Sequence, residues 1–281
     1  MVAVTSYLYE KLTWEEINVA IRENRVILIP IGSTEQHGRH LPMEVDNFLA
    51  RQVCLGAAEK IPDQVLVMPN VNYGFNTHVM DFPGQITVNG STFIQYVLSV
   101  TKSLAYHGFR RIILVNGHGS NMPFLDIAAR QTILETKGKT QCMALIHTNL
   151  ATDVAGEIRE SEIGGMAHAC EWETSMYLHL AEQEVRKDKL QDEIHPKTEF
   201  IWSDIQKKSP VLYTPWTSSV TESGVSGAAK VSTKEKGKIL YETEVERLAR
   251  LVIEFKARPD YPRRDQHEQP VDVDLESLLG F

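Results

Sequence analysis

The sequence predicts an α/β protein, a three-layer α/β/α arrangement around a mostly parallel central sheet. Two observations predict it. Apolar runs alternate with stretches of helical periodicity from residue 25 to residue 185. Each run is also apolar throughout rather than alternating, as a strand covered on both faces must be. The 281 residues suffice to bury a large core without disulfide or metal staples.

The first run, RVILIPIG at 25–32, is β-branched and closed by glycine, which reads as a buried strand. DNFLARQVCLGAAEKI at 46–61 has helical spacing, with Asp46 placed to cap it. QVLVMPNVNYG at 64–74 is a second strand. STFIQYVLSVTKSLAYHG at 91–108 is a helix with a serine or threonine start and a glycine stop. RIILVNGHGSN at 111–121 is a third buried strand entering a glycine-rich turn, and MPFLDIAARQTILETKG at 122–138 is the helix after it. TQCMALIHTN at 140–149 is a fourth strand, and MAHACEWETSMYLHLAEQEV at 166–185 a further helix. Beyond residue 186 a stretch of small and turn residues leads into a helix that runs to about residue 257. One domain is expected over 1–257. The proline- and charge-rich tail, 258–281, is either loose or clamped onto another subunit.

A net charge of −8 with acids and bases interspersed argues against a nucleic-acid or anionic-membrane surface. Apolar residues make up 42% of the chain, yet no run approaches the ~18 needed to span a membrane. Cys54, Cys142 and Cys170 form no C-x-x-C pair, and their odd number fits no disulfide framework. The N-terminus lacks a signal-peptide pattern, so a reducing cytoplasm is the expected compartment.

In open α/β sheets ligands collect at the carboxyl ends of strands, where residues 32–46 and 116–121 both lie. GSTEQHGRHLPMEVD supplies Glu35, His37 and Asp46, a mix of oxygen and nitrogen donors that suits zinc, manganese or iron. NGHGSN places His118 two residues past a buried strand, with glycine on either side. It lacks the lysine of a P-loop and the G-x-G-x-x-G spacing. On a helix, Glu173 of HACEWETS falls inside the apolar arc marked by Ala169, Met176 and Leu180, and Glu171 points the other way. A buried carboxylate must take up a proton or find a cation, here a metal or an arginine. His168 points at the same site or caps that helix. His78, in THVMDFPGQIT, and Trp216 are candidates to line a substrate pocket.

These motifs resemble, in chain order, those of the creatininase family of metal-dependent amidohydrolases: PIGSTEQHGRHLPMEVD, HVMDFPGQIT, NGHGSN, HACEWETS and GVSGAAKVSTKEKG. The resemblance implies a three-layer α/β/α fold, a homohexamer with active sites near subunit contacts, and two divalent metal ions per subunit. Carried over by position, Glu35 and His118 would hold one ion, His37 the other, and Asp46 would bridge them. His168 matches a histidine with a proton-transfer role. In creatininase proper a glutamate stands two residues after the NGH histidine, whereas this chain has Ser120. Glu173 is the carboxylate proposed in its stead, and Ser120 becomes a pocket residue.

The expected activity is hydrolysis of a C–N bond in a cyclic or small non-peptide amide, by a water activated between the two cations. The glycine-rich turn at Gly117 and Gly119 would offer backbone donors to the oxyanion. Two alternatives stand beside it. One is a formamide deformylase for a nucleotide-like substrate, with Arg39, Arg110 and Arg111 as the available phosphate partners. The other is a non-catalytic, metal-bound scaffold of the same fold.

Overall fold

A computed structural model describes residues 2–261, 264 and 266–269. In chain order its elements are α1 (Trp14–Arg22), β1 (Val26–Ile31), α2 (Val45–Lys60), β2 (Val65–Val67), α3 (Gly90–His107), β3 (Arg111–Asn116) and α4 (Met122–Glu135). There follow β4 (Gln141–Ile146), α5 (Thr152–Ile158), β5 (Met166–His168), α6 (Glu171–Ala181), β6 (Asp192–Glu193), β7 (Ser226–Ala228) and α7 (Lys234–Ala257). Strands β2-β1-β3-β4 form a parallel sheet in that order, in register at Leu28 with Val67 and Ile113, and at Leu114 with Ala144. Strands β5-β7-β6 form a small antiparallel sheet whose register shifts between Met166 and His168.

The pleat divides the core in two. Val26, Leu28, Val65, Val67, Ile113 and Val115 face α2, α6 and α7. Ile27, Ile29, Ile31, Leu66, Ile112 and Leu114 face α1, α3 and α4. Both faces of β1 are thus covered, which is why its sequence carries no alternation. Each such side chain contributes about 1.5–3 kcal/mol on burial.

Helix ends follow local chemistry. Thr13 and Glu16 form a reciprocal capping box on α1. The side chain of Asn89, rather than a serine or threonine, caps α3 by accepting from the Ser91 N–H at 3.0 Å, and Gly108 closes that helix at φ +106°. Asp46 caps nothing. The cap position of α2 is Glu44, without a side-chain bond, and Asp46 lies in the first turn. The second strand is shorter than its apolar run, because Pro69 cannot donate to a ladder. Only Val71 rejoins the sheet beyond it, through a bridge to Ile31.

The largest departure from expectation is at 166–170. His168 does not start a helix: it ends β5. Ala169 then turns the chain in the left-handed region at φ +51°, and α6 begins at Glu171. Helix α6 is anchored from two sides. Glu244 of α7, fully buried, accepts the Trp172 Nε1–H at 3.1 Å and the His147 Nδ1–H at 2.6 Å, joining α6, α7 and the end of β4. Gly237 of α7 lies so close that a Cβ there would sit 1.8 Å from the Ser175 carbonyl oxygen of α6.

Helix α7 ends at Ala257. Just beyond it, the buried Arg111 guanidinium holds the Arg258 carbonyl at 2.9 Å and the Asp260 carboxylate at 2.6 Å. The tail past that point lies largely outside the described residues. Among the described residues no helix is long and apolar enough to cross a membrane.

Candidate active site

The site is built where β1 and β3 end. The loop after β1 closes on itself, with the Glu35 N–H donating to the Met43 carbonyl at 3.1 Å. It returns into the first turn of α2, where the helix dipole favours a carboxylate such as Asp46. Gly117, at the end of β3, has no room for a side chain: a Cβ would meet the Asp46 carbonyl oxygen at 2.2 Å. That close approach brings His118 beside Asp46. From the other direction, the Ala169 turn presents His168 and Glu173 to the same point.

Asp46 sits between two histidines. Its Oδ1 is 3.1 Å from His37 Nε2, and its Oδ2 is 3.1 Å from His118 Nδ1. His118 Nδ1 is also 3.2 Å from Glu35 Oε1, and His37 Nε2 is 3.8 Å from Glu173 Oε1. Two donor sets therefore share Asp46: Glu35, Asp46 and His118, and His37, Asp46 and Glu173. A further set joins Glu35 and His37 to His168, whose Nδ1 is 3.6 Å from Glu35 Oε1.

Glu35, His37, Asp46, His118 and Glu173 are all buried. Despite the short separations, Glu35 Oε2, His37 Nε2 and Asp46 Oδ2 are buried without a hydrogen-bond partner. Donor atoms about 2.0–2.2 Å from a common ion lie roughly 3–3.5 Å apart and aim at the ion rather than at each other. The orphaned atoms and their spacing fit divalent cations held by these residues.

The electrostatics agree. Burial works against charge on His37, yet Asp46 and Glu173 hold its pKa well above the usual range. Burial likewise opposes protonation of His118, but Glu35 and Asp46 push it up to about 10. The partner histidines outweigh burial at Glu35, Asp46 and Glu173 and keep all three carboxyls below their ordinary values. The nest draws positive charge, which a bound cation would supply.

His168 behaves differently. Burial and the neighbouring His37 lower its pKa. Its Nε2 lies 2.7 Å from the Gln36 carbonyl oxygen. That oxygen only accepts, so this shorter contact favours a proton on Nε2, with Nδ1 turned toward Glu35. Gln36 carries no signal of its own, standing between two stronger residues of its motif. Its side-chain Nε2 donates to the Gly224 carbonyl at 2.9 Å and lies 3.1 Å from His168 Nε2.

The remaining expectations fall out as follows. His78 stacks on His118, with ring centroids 5.9 Å apart and planes 19° apart, and burial lowers its pKa to about 4. Ser120 lies half-buried in the turn after His118, outside the three donor sets. Trp216 is 55% exposed, at the start of a turn whose Ser218 hydroxyl donates to Asp81 beside the His78 segment. Gly117 cannot serve an oxyanion, because its N–H donates to the Ile31 carbonyl at 2.8 Å. Arg111 and Arg110 pair with Asp260 at the opposite strand end, away from the nest. His40 is fully buried, with Nε2 2.9 Å from Thr174 Oγ1.

A parallel sheet carrying a buried nest of imidazoles and carboxylates at its carboxyl rim defines a metal-dependent α/β/α hydrolase of the open-sheet type. Comparison with known proteins narrows the class. The family profile described as "Creatininase: Creatinine amidohydrolase" matches residues 10–252. The chain is 31% identical over 253 residues to the creatinine amidohydrolase of Pseudomonas putida, covering 85% of this chain and 93% of that protein. It is 28% identical over 242 residues to the mycofactocin precursor peptide peptidase of Mycobacterium ulcerans, covering 83% and 87%. A mutant creatininase of Zn-Zn type superposes with a TM-score of 0.77 at 28% identity, over 89% of this chain and 99% of that one. The chain belongs to the creatininase family of metal-dependent amidohydrolases.

Proposed function

We propose that this chain hydrolyses a C–N bond in a small, cyclic or otherwise non-peptide amide, with two divalent cations (Zn, Mn or Fe) per subunit. Glu35, Asp46 and His118 would hold one cation, and His37, Asp46 and Glu173 the other. The observation that carries this reading is the division of Asp46, one oxygen toward each histidine at 3.1 Å. Cations in such positions polarise a carbonyl and lower the pKa of water from about 15.7 to about 7.

The protein's own groups do the rest. Asp46 holds the two donor sets in fixed relation, and burial of the nest excludes bulk water. His168 takes a proton at Nδ1, the face toward Glu35, and delivers it to the leaving nitrogen. Gln36 holds the imidazole in place at Nε2. His78 and Trp216 border the entrance. Ser120 stands where the resemblance puts a glutamate in creatininase proper, which speaks against creatinine itself as the substrate.

The placement of His168, with Nδ1 3.6 Å from Glu35 Oε1, favours catalysis over a scaffold role. Arg110 and Arg111 pair with Asp260 at the opposite strand end, which leaves the nucleotide deformylase reading with the exposed Arg39 alone of its three phosphate partners. Exposed Leu212, Tyr213 and Phe200 favour a homo-oligomer, a hexamer by the family resemblance.

The test couples metal analysis to turnover on a panel of cyclic amides, formamides and short peptides. Two equivalents of metal and chelator-sensitive release of amine from a cyclic amide are expected. A crystal grown with zinc or manganese and showing no ion at Asp46 would overturn the reading. Full occupancy without turnover on any amide would make the protein a scaffold.

A further inference from the structure

A closed ring of hydrogen bonds lies behind His118, and none of its other side chains belongs to the donor sets. His118 Nε2–H donates to the Phe75 carbonyl at 3.1 Å. The Phe75 N–H donates to Asn121 Oδ1 at 2.8 Å. Asn121 Nδ2 donates to Asn116 Oδ1 at 3.2 Å, and that oxygen also accepts the His118 N–H at 3.1 Å. The second proton of Asn121 Nδ2 goes to the Gly32 carbonyl at 3.0 Å. Asn116 and Asn121 are fully buried.

The partners fix the orientation of the Asn121 amide, since an N–H can only donate to the oxygen and carbonyls can only accept from the nitrogen. Asn121 is therefore the one side chain of the ring that joins three segments. Gly32 opens the loop bearing Glu35 and His37, Asn116 ends the strand before His118, and Phe75 begins the segment bearing His78. The fit is tight: a Cβ on Gly74 would sit 2.3 Å from Asn121 Oδ1, so the Phe75 segment approaches only because residue 74 is glycine.

We propose that Asn121 is a positioning residue for the metal centre: through Phe75 and Asn116 it clamps the His118 ring so that Nδ1 is the nitrogen facing Glu35 and Asp46. This rests on the two-cation reading above. A metal-ligating histidine whose other nitrogen donates to a carbonyl is held in one tautomer and one plane. Loss of such support costs roughly 10–100-fold in metal affinity.

The test titrates Co²⁺ into metal-free wild-type protein and into Asn121→Asp and Asn121→Ser. Asn121→Asp keeps an acceptor for Phe75 but sets carboxylate oxygens against the Gly32 carbonyl and Asn116 Oδ1. One of two equivalents should weaken about 10–100-fold, the same one that His118→Ala removes, and kcat should fall more than KM changes. Lower thermal stability with both affinities unchanged would reduce Asn121 to a structural residue and overturn the proposal.

If neither variant folds, ¹⁵N spectra of wild-type protein loaded with ¹¹³Cd²⁺ decide. Coupling of cadmium to Nδ1 of His118, with a slowly exchanging Nε2–H, is expected. Coupling to Nε2 would overturn the proposal. A wild-type protein that takes up no cation defeats the functional reading and this proposal together. Two bound cations with insensitive Asn121 variants defeat this proposal alone.

Discussion

At the scale of single residues, Asp46 and Glu173 make different predictions although both are buried carboxylates. Asp46 serves both donor sets, so Asp46→Asn should abolish uptake of both metal equivalents. Activity should fall beyond the 10–100-fold of an outer-shell change. Glu173 serves one set, so Glu173→Gln should leave one equivalent bound, as metal analysis after dialysis would report. The raised histidines add a pH dependence. A group whose folded pKa lies above its unfolded value stabilises fully below the unfolded pKa and loses that contribution as pH rises through the folded one. For His118 the unfolded value is about 6.5 and the folded one about 10. Metal-free protein should therefore lose thermal stability from about pH 6.5 toward pH 10, while metal-loaded protein should not. Metal uptake at pH 7 should release protons measurable in weakly buffered solution. Much of this nest was legible in the sequence, because donors packed into one turn after an apolar strand have few other uses. Glu173 was legible from helical spacing, although α6 starts two residues later than Ala169. The placement of the His168 ring was not, since it is held by a carbonyl at Gln36, which no pattern along the chain connects to it.

Among elements, legibility followed the length of the apolar run in the sequence. The six-residue strands β1, β3 and β4 stand out as apolar runs. The strands β5, β6 and β7 have three residues or fewer, too short for any periodicity, and their small sheet went unread. With it went the strand position of His168. Helix α1 escaped because its stripe is short and begins in an acidic first turn. Helix α6 depends on α7 in a way no pattern within α6 reveals. Gly237→Ala should force the two helices apart at Ser175 and cost about 1–3 kcal/mol, seen as a lower midpoint in urea. Glu244→Ala would leave the Trp172 indole and the His147 imidazole buried without their acceptor, at an expected cost of about 1–3 kcal/mol for each. Because α6 carries Glu173, both variants should also weaken the metal equivalent that Glu173→Gln removes. A variant that destabilises the fold yet binds both equivalents with unchanged affinity would separate the helix from the site.

On the scale of the whole molecule, the distribution of apolar surface predicts association. The core faces of the sheet are filled, yet residues 200–216 carry Phe200, Ile201, Val211, Leu212, Tyr213 and Trp216, each at least 44% exposed, with Leu212 at 99%. Scattered apolar residues on a surface need no explanation, but several exposed within one short segment make it a candidate interaction site. The segment is not a loose loop. Arg159 grips Asp204 at 3.0 Å near its start, and the Ser218 hydroxyl bonds Asp81 near its end. Anchoring at both ends lowers the ordering cost of binding another surface. It also runs beside the His78 turn, so a neighbouring copy docked there would wall the entrance to the nest. We expect wild-type protein to scatter light as a multiple of 31.8 kDa, six subunits by the family resemblance. The double variant Phe200→Asp with Leu212→Asp should fall toward one subunit. Because neither residue touches the nest, the dissociated variant should keep both metal equivalents, and its turnover should drop mainly through KM if the neighbour shapes the entrance. A wild-type protein that remains a single subunit at micromolar concentration would remove the oligomer, and with it any role of a second copy at the active site.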